Sequence, residues 1–74
     1  MARSLFPKLA DGRYMAKCKE ATPLAAALNG HAQVWPEALV VVKAGVAVFY
    51  KNGTKVWECN PTYARGNFEI NPAT

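Results

Sequence analysis

Seventy-four residues allow one domain at most, and a domain of that size buries only a modest core. Hydrophobic residues make up 51% of the chain, too many for a disordered segment, while the longest apolar run, Ala38 to Val42, is far too short to cross a membrane. Nine Lys and Arg against five acids give a net charge of +4, scattered rather than clustered, which favours an acidic partner or nucleic acid only weakly.

The first ten residues read as an extended end. Pro7 bars a helix through Leu5, Phe6 and Leu9, and Phe6 is expected to dock on the core. No apolar stretch follows Arg3, so no secretory leader is expected and the location reads as cytoplasmic. Asp11-Gly12 signals a turn. Beyond it Tyr14, Ala16 and Cys18 alternate with Arg13, Met15, Lys17 and Lys19. That period of two predicts a strand with a basic outer face, although the Met, Ala, Lys and Glu content also suits a helix.

Thr22-Pro23 opens the clearest helix, with a capping hydroxyl followed by proline at the first helical position. Leu24 and Leu28 fall one turn apart on one face, alanines fill the rest, and Asn29-Gly30 ends it. Trp35-Pro36 lies in a connection. Ala38 to Lys43 reads ALVVVK, a continuous apolar run that predicts a central strand covered on both faces.

Asn52-Gly53 sits between two β-rich runs, Val46 to Lys51 and Thr54 to Cys59. A two-residue type I′ turn needs positive φ at both central positions, and Asn-Gly supplies it cheaply. The turn predicts the pairs Lys51–Thr54, Tyr50–Lys55, Phe49–Val56, Val48–Trp57, Ala47–Glu58 and Val46–Cys59. Val46, Val48, Tyr50, Trp57 and Cys59 then share the expected core face with Lys55. Phe49 and Val56 meet on the other face, which is too apolar for open water.

Asn60-Pro61 repeats the cap-plus-proline pattern and predicts one or two helical turns through Phe68, anchored by Tyr63. The tail from Glu69 onward, with Pro72, reads as frayed. The expected fold is a small α+β domain spanning residues 1–74, a three- to four-stranded antiparallel meander packed by one or two short helices.

Catalytic chemistry is hard to place in this chain. Asp11, Glu20, Glu37, Glu58 and Glu69 form no motif, and the glycines match no phosphate loop. Cys18 and Cys59 read as reduced, buried thiols. Neither a metal nor a cofactor is expected, because two cysteines and the lone His31 do not compose a zinc motif. The Asp11–Ala21 and Thr22–Asn29 segments make a poor helix-turn-helix, since PLAAALN offers no side chain for base edges.

Binding remains. The preferred expectation is a non-catalytic regulator or inhibitor of another protein, of the accessory kind that compact viral genomes encode. Phe49, Tyr50, Val56, Trp35 and Tyr63 are its candidate contact residues, acting as a monomer or as a homodimer through a sheet edge. The alternative is nucleic-acid binding by Arg13, Lys17, Lys19, Lys51 and Lys55 interleaved with aromatic rings.

Overall fold

In the computed structural model, which describes residues 9–73, the chain runs through five strands and two short helices: β1 (Gly12–Cys18), α1 (Pro23–Leu28), β2 (Glu37–Lys43), β3 (Val46–Lys51), β4 (Thr54–Cys59), α2 (Pro61–Asn67) and β5 (Phe68–Pro72). The strands form one antiparallel sheet in the order β4-β3-β2-β1-β5. A 3-10 turn, Ala32–Val34, links α1 to β2. The expected docking of Phe6 lies outside the described residues.

Local chemistry accounts for most boundaries. The Thr22 hydroxyl accepts from the Ala25 N–H at 3.1 Å, and the Asn60 side chain accepts from the Thr62 N–H at 2.7 Å, so both helices begin at a capping residue followed by proline. Asn52 and Gly53 take φ of 52° and 80°, as the type I′ turn requires. The turn joining β2 to β3 also uses positive φ, at Ala44 and Gly45.

The sheet has two unlike faces. One carries Ala16, Cys18, Ala38, Val40, Val42, Ala47, Phe49 and Phe68, all buried. On this face α2 packs against β3 and β5, the 3-10 turn packs against β4, and α1 rests on the 3-10 turn. Phe49, Trp57 and Phe68 form an aromatic cluster there, with Phe49 centred 5.3 Å from Trp57 and 5.2 Å from Phe68. Tyr14 adds a brace at the edge, its hydroxyl donating to the Ala10 carbonyl at 2.7 Å.

Three expectations are corrected. The sheet has five strands, not three or four, because Phe68–Pro72 pairs with β1 instead of fraying. The hairpin keeps the pairs Lys51–Thr54 and Tyr50–Lys55, but then shifts: Phe49 faces Trp57, Val48 faces Glu58 and Ala47 faces Cys59. Val56 is the extra residue of a β-bulge, which puts two residues of β4 opposite one of β3. The shift turns Ala47, Phe49, Trp57 and Cys59 to the same side, so the core face of β3 is the one expected to be outside. Val46, Val48 and Tyr50 face away from the helices. On α1 the leucine face points outward, Leu24 and Leu28 being 71% and 80% exposed, while the small alanine face packs, with Ala26 buried.

Candidate interaction face and a buried histidine cluster

Two features stand apart from the ordinary core: the second face of the sheet, and a polar cluster around His31.

The second face follows from strand alternation. The register aligns Asn71, Met15, Leu39, Tyr50 and Lys55 in one row across the five strands. A neighbouring row holds Arg13, Val41, Val48 and Glu58. Lys43 and Val46 pair beyond it, and Glu69, Lys17 and Glu37 pair at the other end. Met15 and Val46 are exposed, while Leu39, Val41, Val48 and Tyr50 are half-buried by one another. Six apolar side chains thus form a continuous patch, with Arg13, Lys17, Lys43, Lys55, Glu37, Glu58 and Glu69 around it. A shallow groove opens at one end, lined by Met15, Leu39, Tyr50, Glu37 and Lys51.

The expected protein-contact residues separate between the two faces. Tyr50 lies on this second face. Phe49 is fully buried in the core and is removed from the contact set, since a side chain with no accessible surface cannot meet a partner. Val56, Trp35 and Tyr63 are partly buried against the core from the helix-covered side. The Trp35 indole N–H donates to the Glu20 carbonyl at 3.2 Å.

The basic set divides as well. Arg13 and Lys17 are exposed on the second face, and Lys55 lies there but pairs with Glu58. Lys51 points to the opposite side and donates to the Trp35 carbonyl, while Lys19 reaches the Gly66 carbonyl at 3.3 Å. No single basic strip joins the five. Val48 was expected on the core face, and Leu39 and Val41 join it on the second face through the β2–β3 register. Their signal was the apolar run ALVVVK, which predicts cover on both faces of β2 and so leaves one face for a partner.

The second feature gathers residues far apart in the chain. His31 has no accessible surface. Its Nε2 lies 3.0 Å from Glu20 Oε1 and its Nδ1 lies 3.0 Å from the Tyr63 hydroxyl. Tyr63 also reaches the Asn29 carbonyl at 3.2 Å, and the Asn29 side-chain amide donates to Glu20 Oε2 at 2.6 Å. Phe68 and Trp57 enclose the imidazole, with ring centres at 4.7 and 6.0 Å. Cys18 completes the group: one donor atom each from Cys18, Glu20 and His31 lie within 4.8 Å of one another.

Tyr63 has one proton and two acceptors within reach. When it donates to Asn29, the ring must present Nδ1–H to the phenol oxygen. When it donates to Nδ1, the ring presents Nε2–H to Glu20. Every buried side-chain nitrogen and oxygen among the described residues has a partner. The hydrogen bond from His31 holds the Glu20 carboxyl below its ordinary range. Burial, and then the Glu20 charge, push the Cys18 thiol up. That arrangement does not suit a nucleophilic cysteine, which needs a lowered thiol and a free base nitrogen: both ring nitrogens of His31 are engaged elsewhere.

Among the described residues, no helix is long and apolar enough to cross a membrane. No protein-family model matches the sequence, and comparison with curated proteins and with solved structures likewise finds no match.

Proposed function

We propose that this chain is a non-catalytic binding domain that docks on another protein through the second face of its sheet and thereby modulates it. One observation carries the reading: six apolar side chains, Met15, Leu39, Val41, Val46, Val48 and Tyr50, share a sheet face on which no helix of the described residues packs. Water-facing sheet surfaces normally alternate to polar residues, and an apolar patch with a polar rim is the usual anatomy of a protein interface.

The rim favours protein over nucleic acid. Four cations share it with three carboxylates, and Glu37 and Glu69 flank Lys17 on the adjacent strands. A phosphate backbone would meet alternating attraction and repulsion there. Among the described residues Tyr50 is the single aromatic ring on that face, where single-strand binders stack several bases.

Size limits the affinity. Five strands about 4.8 Å apart and about five residues long span roughly 19 by 17 Å. That is well under the about 800 Å² per partner of a standard interface, so the partner also reaches the rim or a free edge at β4 or β5.

The test is capture of partners from nuclease-treated lysate on the wild-type domain, repeated with Val48→Glu and Leu39→Glu. Both variants are expected to keep the wild-type circular dichroism spectrum and to lose a saturable protein partner. Retention of the same partner by both folded variants would refute the assignment of this face.

A further inference from the structure

We propose that Cys18, Glu20 and His31 form a binding site for a single zinc-like divalent cation, with the Cys18 sulfur, Glu20 Oε1 and His31 Nε2 as its protein donors. The proposal is independent of what the sheet face binds.

Three observations converge on it. The donor atoms already lie within 4.8 Å of one another. Tetrahedral zinc with bonds of about 2.0–2.3 Å places its ligand atoms about 3.3–3.7 Å apart, so the group must draw in by about 1 Å. Glu20, on the connection between β1 and α1, would exchange its hydrogen bond with His31 for the metal bond while Asn29 keeps its other oxygen. The His31–Glu20 separation of 3.0 Å already falls near an edge of such a tetrahedron.

The outer partners are also in place. Tyr63 can donate to the Asn29 carbonyl and accept from His31 Nδ1–H, which leaves the Nε2 lone pair facing the Glu20 carboxylate. Asn29 meanwhile holds the other carboxylate oxygen. In that tautomer two acceptors confront each other across 3.0 Å, and only a positive group between them makes the contact favourable. Without a metal, a proton on Nε2 fills that place as the His31–Glu20 hydrogen bond. A metal uses all three donors. Metal-bound histidines characteristically donate their second nitrogen to such an oxygen.

The donor set itself selects the metal class. One thiolate, one imidazole and one carboxylate suit a borderline-soft first-row ion such as zinc, and three protein ligands leave a fourth position for water. Two ligand charges balance the dication inside an aromatic shell. The bond would tie the end of β1 to the start of the 3-10 turn, which is the kind of staple a domain of this size gains most from.

The test uses the full chain, reduced and without an affinity tag, titrated with Co²⁺ and Zn²⁺. The expected result is one equivalent of Co²⁺ bound, with a sulfur-to-cobalt charge-transfer band and tetrahedral d–d absorption, both abolished by Zn²⁺. Zinc is expected to raise the unfolding temperature and a chelator to reverse that rise. Cys18→Ser should remove the charge-transfer band, and Cys59→Ser should leave it intact. Tyr63→Phe should keep the band but weaken affinity about tenfold or more, as loss of an outer partner does. Should Cys18→Ser fail to fold, the wild-type protein supplies the readout: Zn²⁺ should slow alkylation of Cys18, mapped by mass spectrometry, and leave Cys59 unaffected. Absence of a charge-transfer band at millimolar Co²⁺, its persistence in folded Cys18→Ser, or alkylation of Cys18 at an unchanged rate would each overturn the site.

Discussion

Phe49 and Tyr50 are adjacent aromatics with opposite fates because side chains alternate along β3, and the bulge at Val56 puts Trp57 on the side of Phe49. Phe49 has no accessible surface and touches the rings of Trp57 and Phe68, while Tyr50 lies on the sheet's other side. Phe49→Ala should cost about 3–5 kcal/mol, a large share of the 5–15 kcal/mol that holds a typical domain together. Tyr50→Ala should cost distinctly less, and urea unfolding of the two variants side by side checks the register. Equal losses would place both rings in the core and undo the face assignment. Cys59 gives a pH prediction. Burial pushes its thiol up to about 11 from an ordinary 9.0. The folded state therefore holds this proton where the unfolded chain releases it, so stability falls as pH rises from about 9 to about 11 and levels off above. Tyr63 is also pushed up, by burial and then by the Cys59 and Glu20 charges, and adds a slope of the same sign. Cys59→Ala should flatten part of the alkaline decline in denaturation midpoints; an unchanged slope would mean that Cys59 titrates alike in both states.

Elements with purely local causes were the legible ones. The Asn52-Gly53 turn and the two cap-plus-proline helix starts depend on backbone preferences of neighbouring residues, and each appears where those residues stand. Gly53 takes φ of 80° with nothing within 4 Å of a built Cβ, so Gly53→Val costs backbone strain rather than a clash. About 1–3 kcal/mol is expected, measurable as a lower unfolding temperature. Three features were not legible. β5 contains Asn71 and Pro72 and has no β-forming run, and it becomes a strand only because β1 offers an open edge. The bulge at Val56 leaves no mark in composition, since Val pairs and bulges with equal ease. The histidine cluster joins residues from β1, two connections and α2, so no spacing along the chain announces it. Helix α1 packs through its alanine face, not its leucine pair. Its burial falls on Ala26, because close approach of the backbone needs a small side chain. Replacing Leu24 and Leu28 together by Gln should leave stability within about 0.5 kcal/mol. Ala26→Leu should destabilise by about 1–3 kcal/mol through overpacking. Thermal melts of both test which face of α1 is the packed one.

At the scale of the whole molecule, one sheet serves two surfaces, and the charge pattern separates the functional readings. The helix-covered side holds the aromatic cluster and the His31 group, so it is committed to the core. The other side carries the apolar patch, and its rim charges nearly cancel: Arg13, Lys17, Lys43 and Lys55 against Glu37, Glu58 and Glu69. Among the described residues this face therefore carries one net positive charge. A protein that binds single strands through a sheet would gather its cations on that sheet, and its affinity would fall steeply with salt as counterions are released. Here so small a net charge among the described residues of the face predicts a shallow salt dependence for any oligonucleotide binding and little involvement of the face residues. The measurement is an NMR titration with a single-stranded oligonucleotide at low and at physiological salt. Amide shifts at Met15, Leu39, Val48 and Tyr50 should stay unperturbed at physiological salt, with weak, diffuse changes at low salt confined to exposed lysines and arginines. Localised shifts at Tyr50, Arg13 and Lys17 that survive physiological salt would instead assign the face to nucleic acid and reject a protein as its partner.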